Sequence, residues 1–277
     1  MMDVLNAEQL AYWDGDAGTT WVRNQTHLDQ LLSPFTQALM VGAGHVAGKK
    51  ILDLGCGCGE TALQLAERGA EVTGIDLSRE MLARAMHRRG AKANPQFHQA
   101  DGAVFVGDDP FDLVVSRFGV MFFNAPEQAL RHLRSLLTPG GELLLACWQA
   151  PIHNPWMSVG GRAIAPFLPP SNEVRDPKAP GPFAFSDEVY AAELLTNAGY
   201  DNIEFESVVK SLTVAASLDE AMAFQNQIGP AASAFKSLPE AVVTEATAVM
   251  RAAMAPFVTP NGVVMSGAIW LIRARCG

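Results

Sequence analysis

Through the middle of the chain, short apolar runs alternate with stretches of helical spacing. Ile51-Leu52-Asp53-Leu54 reads as a buried strand, and Glu60 to Arg68 as a helix ended by Gly69. Glu71 to Asp76 is the next strand. Ser78 can cap a helix whose Leu82 and Met86 share a face, with Gly90 as its stop. Gln96 to Asp101 reads as a third, polar strand and Phe111 to Ser116 as a fourth, richer in β-branched residues. A helix from about Pro126 carries Leu130, Leu133 and Leu137 on one stripe and stops at Thr138-Pro139-Gly140-Gly141. Glu142 to Trp148 follows as a strand. Strict alternation of this kind predicts a parallel α/β sheet with right-handed crossovers and helices on both faces.

Three segments fall outside the alternation. Residues 1–47 read as a helical cap, with Leu28, Leu31, Leu32 and Phe35 on an apolar stripe, and 48–150 as the core. Residues 151–185 are a Pro- and Gly-rich insertion holding His153, Trp156, Phe167 and Phe183. Residues 186–277 complete the sheet: strand-like Asn202 to Val214 and Gly262 to Ala274 bracket a helical insertion, 216–258. Insertions near strand ends are where a substrate lid is usually built.

Composition narrows the partners. Apolar residues make up 49% of the 277, enough for a substantial core, and the formal net charge is −9. With no Lys/Arg run longer than two residues, an anionic partner such as nucleic acid is disfavoured. No uncharged stretch reads as a membrane span, because Pro256, Pro260, Asn261 and Gly262 interrupt one candidate and Pro151, Asn154 and Pro155 the other. The N-terminus lacks a secretory pattern, and the four cysteines are too few and scattered for a disulfide framework. A cytoplasmic protein is expected, with a homodimer admitted as its assembly.

The sharpest local signal is Asp53-Leu54-Gly55-Cys56-Gly57-Cys58-Gly59, directly after a strand and opening a helix. Glycines there let the backbone take positive φ and approach a ligand closely. The spacing differs from the dinucleotide fingerprint, and Asp53 would repel a pyrophosphate. The facing ligand should instead carry a cation, such as an α-amino group. Asp76 ends the next strand, about 20 residues beyond Gly55, where a carboxylate suits two ribose hydroxyls. Asp101-Gly102 ends the third strand, where the acid can accept from an exocyclic amine and the glycine amide can donate to a ring nitrogen. In order, these acids describe a ligand with an amine, a ribose and an adenine.

At these residues the chain resembles a class I S-adenosylmethionine-dependent methyltransferase of the bacterial small-molecule group. Asp53 to Gly59 matches the first motif, Gly74-Ile75-Asp76-Leu77-Ser78 the ribose motif and Ala100-Asp101-Gly102 the adenine motif. Phe111 to Gly119 is similar to the fourth motif, beside the methionine part of the cofactor, and Leu137 to Gly141 to the turn before the fifth strand. The resemblance implies a doubly wound, seven-stranded, mostly parallel sheet, with Gly262 to Ala274 as an antiparallel strand between the last two. Tyr12-Trp13 through Trp21-Val22 and Pro180-Gly181-Pro182-Phe183 resemble one subgroup, whose N-terminal helices cover the cofactor. The implied cofactor-binding residues are Asp53, Gly55, Cys56, Gly57, Asp76, Leu77, Met81, Asp101, Gly102, Ala103, Ser116, Arg117 and Trp21, with Met81 against adenine.

Cys56 and Cys58 sit inside the glycine turn without nearby partner ligands, so they read as packing residues and no metal is expected. Arg84, Arg88, Arg89 and Lys92 read as a solvated face. Methyl transfer from a sulfonium requires alignment and dryness rather than a nucleophilic side chain. For a hydroxyl acceptor a general base helps, and His153 is the candidate. Met121, Phe122, Trp148 and Trp156 are chosen as acceptor-pocket walls by position and size. The expected reaction is O-methylation of a small molecule. Its alternatives are N- or C-methylation, a nicotinamide-dependent oxidoreductase and an inactive cofactor-binding protein.

Overall fold

A computed structural model describes residues 6–168, 176–228, 232, 235 and 238–277. The first five residues of the 1–47 cap and parts of 151–185 and 216–258 lie outside them. The described residues form two compact units, one from 1–148, 177–208 and 269–277, the other from 149–176 and 209–268.

The sheet contains β1 (Lys50–Leu54), β2 (Glu71–Asp76), β3 (Gln96–Gln99), β4 (Phe111–Arg117), β5 (Leu137–Trp148), β6 (Tyr200–Ala215), β7 (Val258–Thr259) and β8 (Gly262–Cys276). Their order is β3-β2-β1-β4-β5-β8-β6, with the two-residue β7 paired to β8. β1 to β5 pair in parallel, and β8 runs antiparallel to β5. The sheet is therefore mostly parallel, with the antiparallel strand where the resemblance placed it and one short strand beyond the seven expected. Ile51, Leu52, Val114 and Val115 are fully buried, as parallel strands covered on both faces require.

In the first unit, α1 (Ala7–Trp13), α2 (Asp16–Arg23) and α3 (Gln25–Ala43) precede β1. Leu28, Leu31, Leu32 and Phe35 of α3 are all buried, confirming the apolar stripe. Gly42 lets α3 lie close to the sheet, since a Cβ there would meet Leu271 and Leu144 at 3.1 and 3.3 Å. α4 (Glu60–Glu67), α5 (Arg79–Arg89) and α6 (Pro126–Ser135) form the crossovers, and Ser78 caps α5 by accepting from the Met81 amide. In the second unit, α7 (Pro155–Ile164) packs on a later helix of the same unit. α8 (Glu188–Asn197) returns to the first unit, packing on α6. α9 (Leu218–Gln225) and α10 (Val243–Met254) follow in the second, where α7 packs on α10 and Ile164, Met250 and Met254 are fully buried.

Several expectations need correction. α6 stops at Ser135, and Leu137 belongs to β5, paired with Phe111, rather than to the leucine stripe. Pro139 drives Thr138 toward extended backbone, so the chain turns into a strand before the glycines. β3 ends at Gln99, leaving Asp101 two residues past the strand. The Pro-rich insertion contains α7, whose Pro155 sits at the first helical position, where a missing N–H costs nothing. The basic residues of α5 are not simply a solvated face. Arg84 donates to Gln25, and Arg88 binds the Cys58 carbonyl, Glu60 and Asp29, fastening α5 to α3 and α4. Burial would raise Glu60, but hydrogen bonds from Arg88 and Gln64 hold its carboxyl below the usual value.

Among the described residues, no helix is long and apolar enough to cross a membrane.

Candidate functional site

The turn after β1 takes its shape from glycine. Gly55, Gly57 and Gly59 have φ of 66°, 54° and 84°, a region that costs other residues about 1–2 kcal/mol each. A Cβ on Gly55 would stand 2.9 Å from the Gly119 Cα, and one on Gly57 would stand 2.8 Å from the Met81 Cε. Met81, buried at the start of α5, therefore abuts the turn. Cys56 donates its amide to the Ile75 carbonyl, which holds the turn against the end of β2.

Asp53 is 1% exposed, and neither of its carboxylate oxygens has a hydrogen-bond partner. Burial pushes its carboxyl up to about 7; the Arg117 charge opposes this and the Asp76 charge adds to it. Asp53 pairs with Val115, so Arg117, two residues further along β4, projects to the same face of the sheet. The Arg117 guanidinium donates to Thr36 Oγ1 of α3 at 2.6 Å and forms no ion pair with Asp53. A half-buried cation and a buried anion thus share one sheet face, and the Arg117 charge favours the ionised form of Asp53.

Asp76 is half-buried and accepts from the Gly57 amide at 2.8 Å and the Ser78 amide at 2.9 Å. Burial raises its carboxyl, with those amides in opposition. Leu77, between Asp76 and Ser78, is also half-buried. Asp101, Gly102 and Ala103 are buried together, and the Ala103 amide donates to Asp101 Oδ1 at 2.9 Å. Asp101 also accepts from the side-chain amide of Asn6, which sequence reasoning missed. A lone asparagine carries no pattern that could have revealed it.

Ser116 is fully buried. Its hydroxyl donates to the Leu54 carbonyl at 2.9 Å and accepts from the Val120 amide at 3.1 Å, tying the ends of β1 and β4 together. Phe118 follows with φ of 69°, a strained conformation for a bulky side chain. Its ring stacks on Trp148 at 4.1 Å, and Phe35 meets both rings edge-on. Trp148 is buried in that stack. Met121 is buried and Phe122 half-buried, in the turn after β4. The Met121 carbonyl accepts from the Gly181 amide.

The N-terminal helices lie against these strand ends. Trp13 meets Phe122 edge-on at 5.0 Å and half-buried Trp21 at 6.1 Å. Asp14 accepts from the backbone and side chain of Arg79, and these bonds hold its carboxyl below the usual value. Thr19 donates to Glu80, and Gly18 packs where a Cβ would collide with Ser78 Oγ. The cap is fastened to the opening turn of α5.

Two expected site residues lie in the second unit. His153 is exposed on the turn Pro151–His153, and Trp156 is buried in α7, its carbonyl accepting from Gln225. Cys56 and Cys58 are buried free thiols; burial raises both, Cys58 to about 12. Among the described residues there is no cluster of His, Cys, Asp and Glu fit to hold a metal.

Residues 51–141 match the family model of the methyltransferase domain. An uncharacterised protein of Mycobacterium tuberculosis is 27% identical over 79% of this chain and 78% of its own length. Demethylmenaquinone methyltransferase of Thermus thermophilus is 43% identical over 36% of this chain and 47% of its own length. A structure from Bacillus halodurans assigned as a methyltransferase shares the fold, with a TM-score of 0.56 at 19% identity. It covers 87% of this chain and 98% of that one. The glycine turn and the acids Asp53, Asp76 and Asp101 all fall within the matched segment, which is similar to a methyltransferase domain.

Proposed function

We propose that the first unit holds S-adenosylmethionine across the ends of β1, β2 and β3, and that the methyl group passes to a hydroxyl oxygen of a small molecule. The observation that carries the cofactor assignment is the Asp53 carboxylate, buried without a partner behind a turn of left-handed glycines. Such a group is costly unless a cation meets it, and the methionine α-ammonium is one. Arg117, on the same sheet face, supplies a guanidinium for the α-carboxylate. A dinucleotide would instead bring a pyrophosphate toward Asp53.

Asp76 keeps lone pairs beyond its two amide donors, which suits the ribose hydroxyls. Asp101 takes the exocyclic amine, with the amides of Gly102 and Ala103 beside it and Met81 as apolar cover. Gly55, Cys56, Gly57, Leu77, Ser116 and Trp21 complete the proposed contacts. When bound, S-adenosylmethionine would supply an electrophilic methyl group, held by the residues named above. The chain's own work is to align the reactants, exclude water and accept the hydroxyl proton, for which His153 is the proposed base.

We assign 1–47 to covering the cofactor, 48–150 to binding it, and 151–185 with 216–258 to choosing the acceptor. The family match lies inside the core, which supports placing acceptor choice outside it. Met121, Phe122, Trp148 and Trp156 remain the proposed acceptor-facing side chains. The name of the Thermus relative gives demethylmenaquinone as its acceptor, which supports a small molecule here. Four free thiols are in keeping with a cytosolic setting.

S-adenosylhomocysteine should raise the melting temperature, by the equivalent of about 2.7 kcal/mol at a hundredfold excess over its dissociation constant, and NAD should not. Asp76→Ala should weaken that binding by about 1.5–3 kcal/mol, since hydrogen bonds to a charged group are lost. Calorimetry on the folded variant checks the second expectation. Equal shifts from NAD would defeat the assignment.

A further inference from the structure

Asn6 stands at the N-cap position of α1, where asparagine is favoured because its side chain can satisfy an orphan helix amide. Here the side chain makes no such bond. It spans outward, 4% exposed, to Asp101, which is 6% exposed. The Asn124 amide donates to Asn6 Oδ1 at 3.0 Å, so the other end of the side chain must be the nitrogen. That nitrogen donates to Asp101 Oδ1 at 2.8 Å and, less closely, to Oδ2 at 3.0 Å. The Ala103 amide donates to Oδ1 at 2.9 Å.

The carboxylate is therefore loaded unevenly. Oδ1 carries two donors, and Oδ2 carries only the longer arm of a shared one. A carboxylate has about four acceptor sites, so Oδ2 keeps room for another N–H. We propose that Asn6 is a positioning residue for base recognition, orienting Asp101 so that Oδ2 is presented to the exocyclic amine of adenine. The inference rests on the reading that Asp101 receives that amine.

The test is calorimetry of two ligands on three folded proteins. S-adenosylhomocysteine carries the amine, and S-inosylhomocysteine carries a carbonyl in its place. The wild type should prefer the first. Asn6→Ala should weaken S-adenosylhomocysteine roughly tenfold while leaving S-inosylhomocysteine nearly unchanged, so the preference collapses by the same factor. Asn6→Asp, of the same shape but without the donor, should lose the preference at least as fully and covers the case in which the alanine variant fails to fold.

Equal weakening of both ligands would overturn the inference, because Asn6 would then only anchor the cap. Tighter binding of S-adenosylhomocysteine would overturn it too, by making Asn6 a plug that adenine displaces. Asp101→Asn separates the two levels. If it abolishes the preference while the Asn6 variants keep it, the Asn6 inference alone fails. If it keeps the preference, the adenine assignment of Asp101 fails as well.

Discussion

Replacing Asp53 with asparagine should weaken S-adenosylhomocysteine binding by roughly 10–100-fold and, in the ligand-free protein, remove a pH-dependent loss of stability. Both effects follow from one buried carboxylate without a hydrogen-bond partner. Its native value, about 7, lies above the 3.8 of an ordinary aspartate, so the native state holds a proton that the unfolded state has released. The stability contributed by this group is fully present below about 4 and is lost as pH rises to about 7. At about 1.4 kcal/mol per unit, the loss amounts to roughly 4 kcal/mol. Asparagine does not titrate. The stability difference between variant and wild type should therefore shift in favour of the variant by that amount between pH 4 and pH 8. Comparing the two proteins across pH cancels the cost of burying either side chain. Denaturant titrations check the stability side, and parallel pH curves would show that Asp53 does not titrate in this range.

The binding side carries the opposite sign. A carboxylate facing an ammonium contributes a charge-assisted hydrogen bond, worth about 1.5–3 kcal/mol. Binding requires the ionised form, so below pH 7 it must release a proton and the affinity must fall. Calorimetry in buffers of different ionisation enthalpy measures that proton directly. A variant that gains stability at pH 8 and loses affinity would show that the fold tolerates an unfavourable charge because the ligand needs it. Unchanged affinity would remove Asp53 from the site.

The core was legible because its chemistry is local. Ile51 to Leu54 is too short and apolar for a surface helix, and Gly69 and Gly90 mark where helices stop. Asp53 and Asp76 stand at strand ends, where sequence order translates directly into position. Leu137 misled because its spacing continues a helical stripe, while the backbone responds to Pro139 two residues later. α7 was hidden for the converse reason: Pro155 looked like a breaker but occupies the one helical turn that welcomes proline. The contacts of Asn6 with Asp101, Thr36 with Arg117 and Asp29 with Arg88 join residues far apart in sequence. No periodicity records such pairs. They exist only once the cap helices have packed on the sheet.

Turnover on a hydroxyl acceptor should fall by roughly 10²–10⁴-fold in His153→Ala, the usual range for a lost general base. The affinity for S-adenosylhomocysteine should hold, because position 153 belongs to none of the cofactor motifs. The His153 ring is exposed, and its amide donates to the Ala150 carbonyl at 2.9 Å. The next residue, Asn154, is fully buried. Its side chain donates to the Gln149 and Ala268 carbonyls and accepts from the Ala268 amide. The backbone that carries the imidazole is therefore fixed within the second unit while the ring itself reaches solvent. Retained turnover would leave alignment as the whole of catalysis. A raised Michaelis constant with intact turnover would instead make His153 an acceptor-binding residue. An acceptor nitrogen that already presents a lone pair would need no base, so the same variant also discriminates oxygen from nitrogen as the methylated atom.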